Sequence, residues 1–281
     1  MGIRLDQNAY GKNAIRLSKI IRHPGRHEIR QIGVDISLQG DFDAVHVEGD
    51  NSKVLPTDTM KNTVYALAKY RLTDSIEEFG LVLADHFLVH NPQLSAVTID
   101  LAEECWVRMH FDGTAHPHAF VNGGSEKHLA RVSRDRKGLV LSAGIGDLLI
   151  LKTTDSGFEG YIKDAYTTLK ETPDRILSTL CEVYWVYAGV PEGPAALYPA
   201  IREQLLRSFA YHQSLSVQHT LYAMGEAVLK EFSMVKEITL KMPNRHHILC
   251  NFQPFGLENN NEVFIATEEP FGYITGTVVR D

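Results

Sequence analysis

"HEIRQIGVDISLQGDF", residues 27–42, places Ile32, Val34, Ile36 and Leu38 at every second position, against Asp35, Ser37 and Gln39. Side chains two apart share one face of a strand, so this text predicts a half-buried strand in an antiparallel sheet with one wet face. The stretch before it, "AIRLSKIIRH" (14–23), alternates in the same way: Ile15, Leu17 and Lys19 stand against Arg16 and Ser18. Pro24-Gly25 between the two is a turn signal, which makes the pair a hairpin.

Downstream the period changes from two to that of a helix. "DTMKNTVYALAKY" (58–70) spaces Met60, Val64 and Leu67 helically, with Asp58 as the expected N-cap. "TDSIEEFGLVLADHFLVH" (73–90) puts Ile76, Phe79, Leu83 and Phe87 on one stripe, with Glu77 and Glu78 in the first turn. Strand text resumes with "SAVTIDLAEECWVRMHF" and "PHAFVNG". The order is ββααββ. The second half repeats it: "GLVLSAG", "DLLILKTTD", "STLCEVYWVYAG", "MVKEITLKMP" and "HHILCNF" read as strands around two helices. Those helices carry the stripes Ile201, Leu205, Phe209 and Leu221, Met224, Val228. The expected architecture is α+β, a tandem pair of antiparallel sheets with helices on one face. The charged stretch "SRDRKG" (133–138) places the boundary between domains 1–136 and 137–281.

A chain of 281 residues with 44% hydrophobic and 22% charged residues can bury two sizeable cores. Its formal net charge of −7 argues against nucleic acid as the main partner. Cys105, Cys181 and Cys250 are odd in number and scattered, which excludes a disulfide framework and a cysteine-rich zinc site. No run approaches the roughly 20 apolar residues of a membrane span, the start lacks a signal-like segment, and "TVVRD" is not a peroxisomal tail. The expected address is the cytoplasm.

Four stretches carry residues suited to chemistry. "VLPTDTMKNTVY" (54–65) crowds Thr57, Asp58, Thr59 and Thr63 behind an apolar strand-like flank, with neither a glycine loop nor a metal ligand. In "LLILKTTDSGFEGYIKDAYTTLKETPDRIL" (148–177), Phe158 and Arg175 are either a core ring and a surface ion-pair partner, or a stacking platform and a guanidinium fork for a flat ligand. Val217 and Gln218 open a helix; a primary amide offers a donor beside an acceptor, which suits a lactam edge, although a solvated helix residue reads the same. Asn244, Arg245, His246 and His247 follow a strand, and adjacent histidines there point to opposite faces. Lys12 precedes the first alternating segment, where an exposed lysine is the plain alternative. His86 with His90, and His116 with His118, have the spacing of metal-ligand pairs but no specified third ligand.

In this order the motifs resemble the urate oxidase family along nearly the whole chain. They are "YGKNAIRL" (10–17), "TDTMKNTVY" (57–65), "DGTAHPHAF" (112–120), "LKTTDSGFEGYIKDAYTTLKETPDRIL" (151–177), "SVQHTLYAMGE" (216–226), "MPNRHH" (242–247) and "NEVFIATEEPFGYITGTV" (261–278). The resemblance implies two tunnelling-fold (T-fold) domains per chain and a homotetramer around a central tunnel, with active sites at subunit interfaces. It implies oxidation of urate by O2 to 5-hydroxyisourate and hydrogen peroxide, with neither metal nor organic cofactor. By residue, it assigns Arg175, Gln218 and Phe158 to grip and stack urate, with the backbone amides of Asp58 and Val217. It assigns Lys12 as an uncharged amine acting through Thr57, His246 to the proton path, and Asn244 to O2. The C-terminus is shorter than in many relatives. A metal-dependent pterin- or GTP-processing enzyme on the same fold, or a non-catalytic purine binder, are the readings this resemblance competes with.

Overall fold

The computed structural model describes residues 2–281. Two compact units make up the chain: residues through Gly144 with Val186–Tyr198, and Ile145–Trp185 with Pro199–Asp281.

In the first unit, β1 (Tyr10–His23), β2 (Arg26–Gly40), β3 (Leu94–Phe111) and β4 (Thr114–Asp135) are hydrogen-bonded in that order. The pairings are antiparallel. A short α1 (Asp43–Val47), α2 (Thr57–Arg71) and α3 (Ile76–His90) lie between β2 and β3 in the chain. The alternation in β2 does what its period demands: Ile32, Val34, Ile36 and Leu38 are all buried. Each such side chain contributes about 1.5–3 kcal/mol of transfer free energy. Helix α3 closes this core with Ile76, Phe79, Leu83 and Phe87. At Gly80 an added Cβ would stand 2.8 Å from both Leu101 Cδ1 and Val132 Cγ2, so α3 approaches β3 and β4 closely enough that any larger residue would make those side chains move.

The C-terminal half of the chain is built alike. Its strand order is β5 (Leu139–Lys152), β6 (Leu177–Tyr187), β7 (Val235–Lys241) and β10 (Thr275–Val279). Helices α4 (Pro194–Tyr211) and α5 (Val217–Glu231) fall between β6 and β7. From this half the first unit takes the start of β5, the end of β6 and the start of α4. Ile201, Leu205 and Phe209 of α4, and Leu221, Met224 and Val228 of α5, are buried as their spacing predicts. A small separate ladder pairs β8 (His247–Leu249) with β9 (Phe264–Ala266). Among the described residues no helix is long and apolar enough to cross a membrane.

The α+β pattern of strands and helices holds, with local corrections. Asp58 is not the N-cap of α2; Pro56 is, and no side chain caps that end. Proline sits comfortably there in extended backbone, and the Asp58 carboxylate instead takes Lys61 Nζ and, at 2.9 Å, Asn62 Nδ2. Ala68, not Leu67, completes the buried stripe of α2 with Met60 and Val64. "GLVLSAG" and "DLLILKTTD" are one strand, β5, which runs through Gly144-Ile145-Gly146 with Asp147 at φ 54°. Strand β4 continues past Gly123-Gly124 to Asp135, while β8 covers only three residues of "HHILCNF".

Candidate active site

In the second unit, the end of β5 leads into a tightly tied segment. Phe158 and Thr172 exchange two backbone hydrogen bonds, at 2.8 and 3.2 Å. Gly157 donates to Ser214 O at 2.8 Å, and a Cβ there would stand 2.8 Å from Pro173 O, so the crossing requires glycine. Asp174 ties the same knot: its carboxylate accepts Thr154 Oγ1 at 2.9 Å and Ser156 N at 3.3 Å. Its carbonyl accepts Thr172 Oγ1 at 2.6 Å. The carboxylate next to Arg175 is thereby committed elsewhere.

Arg175 itself is half-buried, with its Cζ 5.1 Å from the centroid of the Phe158 ring. Its Nε is buried and hydrogen-bonds to nothing among the described residues. Burial pulls its pKa down, although a guanidinium remains charged at any physiological pH. Tyr161 stacks on Phe158 with centroids 4.8 Å apart and planes 13° apart. A half-buried cation with an unpartnered donor beside a flat ring has the chemistry to hold a planar anion.

Helix α5 starts beside this segment, through Ser214. Ser214 N donates to Asp155 O at 2.8 Å, and Thr220 Oγ1 donates to Ser214 Oγ at 2.7 Å. Ser216 is the N-cap and accepts His219 N at 3.1 Å. The amides of Val217 and Gln218 precede the first intrahelical bond, Thr220 N to Ser216 O, so they are free donors at the positive end of the helix. Val217 is buried by its side chain; Gln218 is exposed.

Asn244, just past β7, is buried and bridged on both sides, by Thr179 and by Gly272. Its Nδ2 lies 3.4 Å from His246 Nδ1. His247 turns instead to the Arg245 carbonyl, at 3.2 Å, so only His246 accompanies Asn244. Phe158, Arg175, Val217, Gln218, Asn244 and His246 thus all belong to the second unit.

The remaining three belong to the first. Lys12 lies on β1 opposite Ile36, just before a bulge at which Ala14 takes φ 57° and donates to Asp35 Oδ1 at 2.6 Å. Gly11 precedes it where a Cβ would collide with Ile36 O, at 1.7 Å. Thr57 is the first residue of α2, and the amides of Thr57, Asp58 and Thr59 precede the first helical bond, Met60 N to Pro56 O. Lys61, and more weakly Asn62 and the charge of Lys12, hold the Asp58 carboxyl below its ordinary value. Lys12 and the start of α2 are therefore electrostatic neighbours. An open groove lined by Leu17, Lys19, Tyr65 and Ala68 lies further along α2 and contains none of these residues.

Of the histidine pairs, His86 and His90 stack with centroids 4.3 Å apart, and His116 and His118 meet edge-on at 4.7 Å. No three His, Cys, Asp or Glu converge as metal ligands among the described residues. Cys181 is buried, and burial, with the Glu182 charge, pushes its thiol up to about 12, which rules it out as a nucleophile. Asp174 is not marked out by any motif in the sequence; its place beside Arg175 and near Thr154 and Thr172 is the one local signal of its role.

Against known proteins, the family model described as Uricase matches residues 8–133 and 141–275. The chain is 41% identical to the uricase of Arthrobacter globiformis over 277 residues, 99% of this chain and 90% of the relative. It is 36% identical to that of Oryctolagus cuniculus, across 98% of this chain and 94% of the relative. The crystal structure of uricase from Arthrobacter globiformis superposes with a TM-score of 0.95 at 40% identity, covering 100% of this chain and 96% of that one.

Proposed function

The chain belongs to the uricase family, a urate oxidase on the T-fold, and on that premise we propose how its residues divide the reaction. The observation that carries this assignment is Arg175: a half-buried guanidinium with an unpartnered Nε, lying over Phe158. Urate is flat, anionic and polar on every edge. Arg175 forms charge-assisted bonds to one edge, Gln218 takes a carbonyl and ring N–H opposite, and Phe158 stacks on the face. The Val217 amide, at the start of α5, completes this grip. A purine lacking one of these edges leaves a buried donor or acceptor unpaired, at about 1–3 kcal/mol apiece.

The acid–base residues come from the other unit. Lys12 and Thr57 act as a dyad: the hydroxyl, which caps no helix amide, passes the substrate proton to the lysine amine. The Asp58 amide, free at the start of α2, binds the ring edge. Asn244 holds O2 over the ring, and His246, 3.4 Å away, carries protons out. Urate gives up two electrons to O2, water adds to the ring, and hydrogen peroxide leaves with 5-hydroxyisourate. The chain supplies both halves of this apparatus as two tandem domains, 1–136 and 137–281. A homotetramer brings Thr57 and Asp58 of one subunit to the Arg175 side of another, and the protein works in the cytoplasm without metal or organic cofactor.

The decisive assay is the fall of urate's ultraviolet absorbance in aerated buffer with no additive, repeated after chelation. Undiminished decay is the expected result. A requirement for added metal would shift the chemistry to other residues, and Arg175→Ala retaining affinity for urate and for an inert xanthine would remove the guanidinium from the site.

A further inference from the structure

One stretch recurs at constant spacing: from Ser75 to Glu103 in the first unit, adding 141 to a residue number gives its counterpart between Ser216 and Asn244 in the second. Ser75 and Ser216 cap α3 and α5, each accepting the amide three residues on at 3.1 Å. Glu77 and Gln218 are then the second residues of their helices. Leu94 and Val235 open β3 and β7, and residues 94–103 and 235–244 share one alternation of buried and accessible positions. That alternation ends on two buried polar residues, Glu103 and Asn244. Neighbouring strands match as well, for Ile32 opposes Glu103 as Thr179 opposes Asn244.

The frames differ on the remaining side. Gly272 opposes Asn244 and brings no side chain of its own to that position; a Cβ there would meet only Ile274 Cδ1 within 4 Å, at 3.7 Å. His128 opposes Glu103 instead. Its Nε2 lies 2.9 Å from Glu77 Oε1 and its Nδ1 lies 3.7 Å from Glu103 Oε2. The Tyr198 ring covers the imidazole at 3.8 Å and 25°. Arg30 holds both oxygens of Glu103, at 2.9 and 3.1 Å, and Ser75 Oγ donates to Glu77 at 2.8 Å. The Gln218 amide suits a ligand edge that both donates and accepts; two carboxylates only accept, so their guest must donate from both edges, as imidazolium does.

We propose that the first unit contains an acidic counterpart of the substrate-gripping frame, occupied by the chain's own His128, and that this position takes a small planar cation of the imidazolium or guanidinium class once that side chain is removed. The reading rests on the assignment of Gln218 to urate and of Asn244 to O2. The test uses full-length His128→Gly, melted with and without imidazole at mildly acidic pH, and with sodium chloride at matched ionic strength. A melting temperature lowered by several degrees and restored saturably by imidazole alone is expected, with the recovery lost when Glu77→Gln is added. No recovery, equal recovery with salt, or recovery indifferent to Glu77→Gln overturns the proposal. Should the variant accumulate unfolded, refolding yield is read instead, and a yield indifferent to imidazole is equally fatal. Gln218→Ala separates the two levels: normal urate binding by that variant sinks the substrate assignment, whereas lost urate binding beside an imidazole-blind His128→Gly sinks only the counterpart.

Discussion

Lys12 is the residue on which the proposed chemistry turns, and its setting is built from the backbone outward. Gly11 permits the close approach to Ile36, and the bulge held by Asp35 fixes the turn of the strand beyond it. Lys12→Met should leave urate binding within a factor of a few and cut turnover by about two to four orders of magnitude, the usual yield of a positioned base. Steady-state turnover beside equilibrium binding of an inert xanthine measures both. The nine candidate residues were nominated from the chain because their motifs resemble a known family in order and spacing. What could not be read were the contacts that make them usable. Arg175 is free because Asp174 bonds Thr154 and Ser156 instead, a choice made by the fold. Asp58 lost its expected capping role for an equally local reason, since Lys61 and Asn62 reach its carboxylate.

Elements differ in how openly their patterns speak. Strand β2 and the helices α3, α4 and α5 follow their periods because one face of each is wholly buried. Strand β5 reads as two in the sequence, since Gly144 and Gly146 look like punctuation, yet the strand passes through them with Asp147 in the left-handed region. Strands β9 and β10 are short, set in glycine- and proline-rich text, and carried no period to find. Glycine also sets how near a helix can lie. At Gly225 of α5 an added Cβ would stand 2.7 Å from Val278 Cγ2 on β10. Gly225→Ala should therefore lose about 1–3 kcal/mol to overpacking, against about 1 kcal/mol gained in helix propensity. A net loss is expected in chemical denaturation, together with a raised KM for urate, because α5 also presents Gln218. A stabilised variant would show that the sheet yields freely.

At the scale of the whole molecule, the buried cluster around His128 should shape stability against pH. The groups facing it are Glu77, Glu103, Arg30, Tyr198 and Cys105. Burial disfavours the charged imidazole, but the two carboxylates outweigh it and hold His128 above its ordinary 6.5. Burial likewise disfavours the Glu77 carboxylate, and the bond to His128 outweighs it, holding Glu77 below its ordinary 4.5. The His128 contribution is complete below its unfolded value and fades as pH climbs through the higher folded one. That of Glu77 is complete above its unfolded value and fades as pH falls through the lower folded one. The cluster is thus strongest from about 4.5 to 6.5, and His128→Gln should flatten the alkaline decline in a series of melting curves. The division of labour between units has its own signature. If grip and base come from different subunits, Lys12→Met and Arg175→Ala chains, each inactive alone, should recover activity when refolded together, with about a quarter of sites intact under random mixing in a closed oligomer. Silence in the mixture would place each complete site within one chain.

The pairing of Gly272 with Asn244 in one unit, and of His128 with Glu103 in the other, also bears on mutational tolerance. A library scored separately for cellular abundance and for turnover should split the two frames. Changes at Gln218, Asn244 and Gly272 would spare abundance and erase turnover, whereas those at Glu77, Glu103 and His128 would deplete the protein itself. On this reading one half of the chain holds its frame open for a guest, and the other uses the matching place as a keystone.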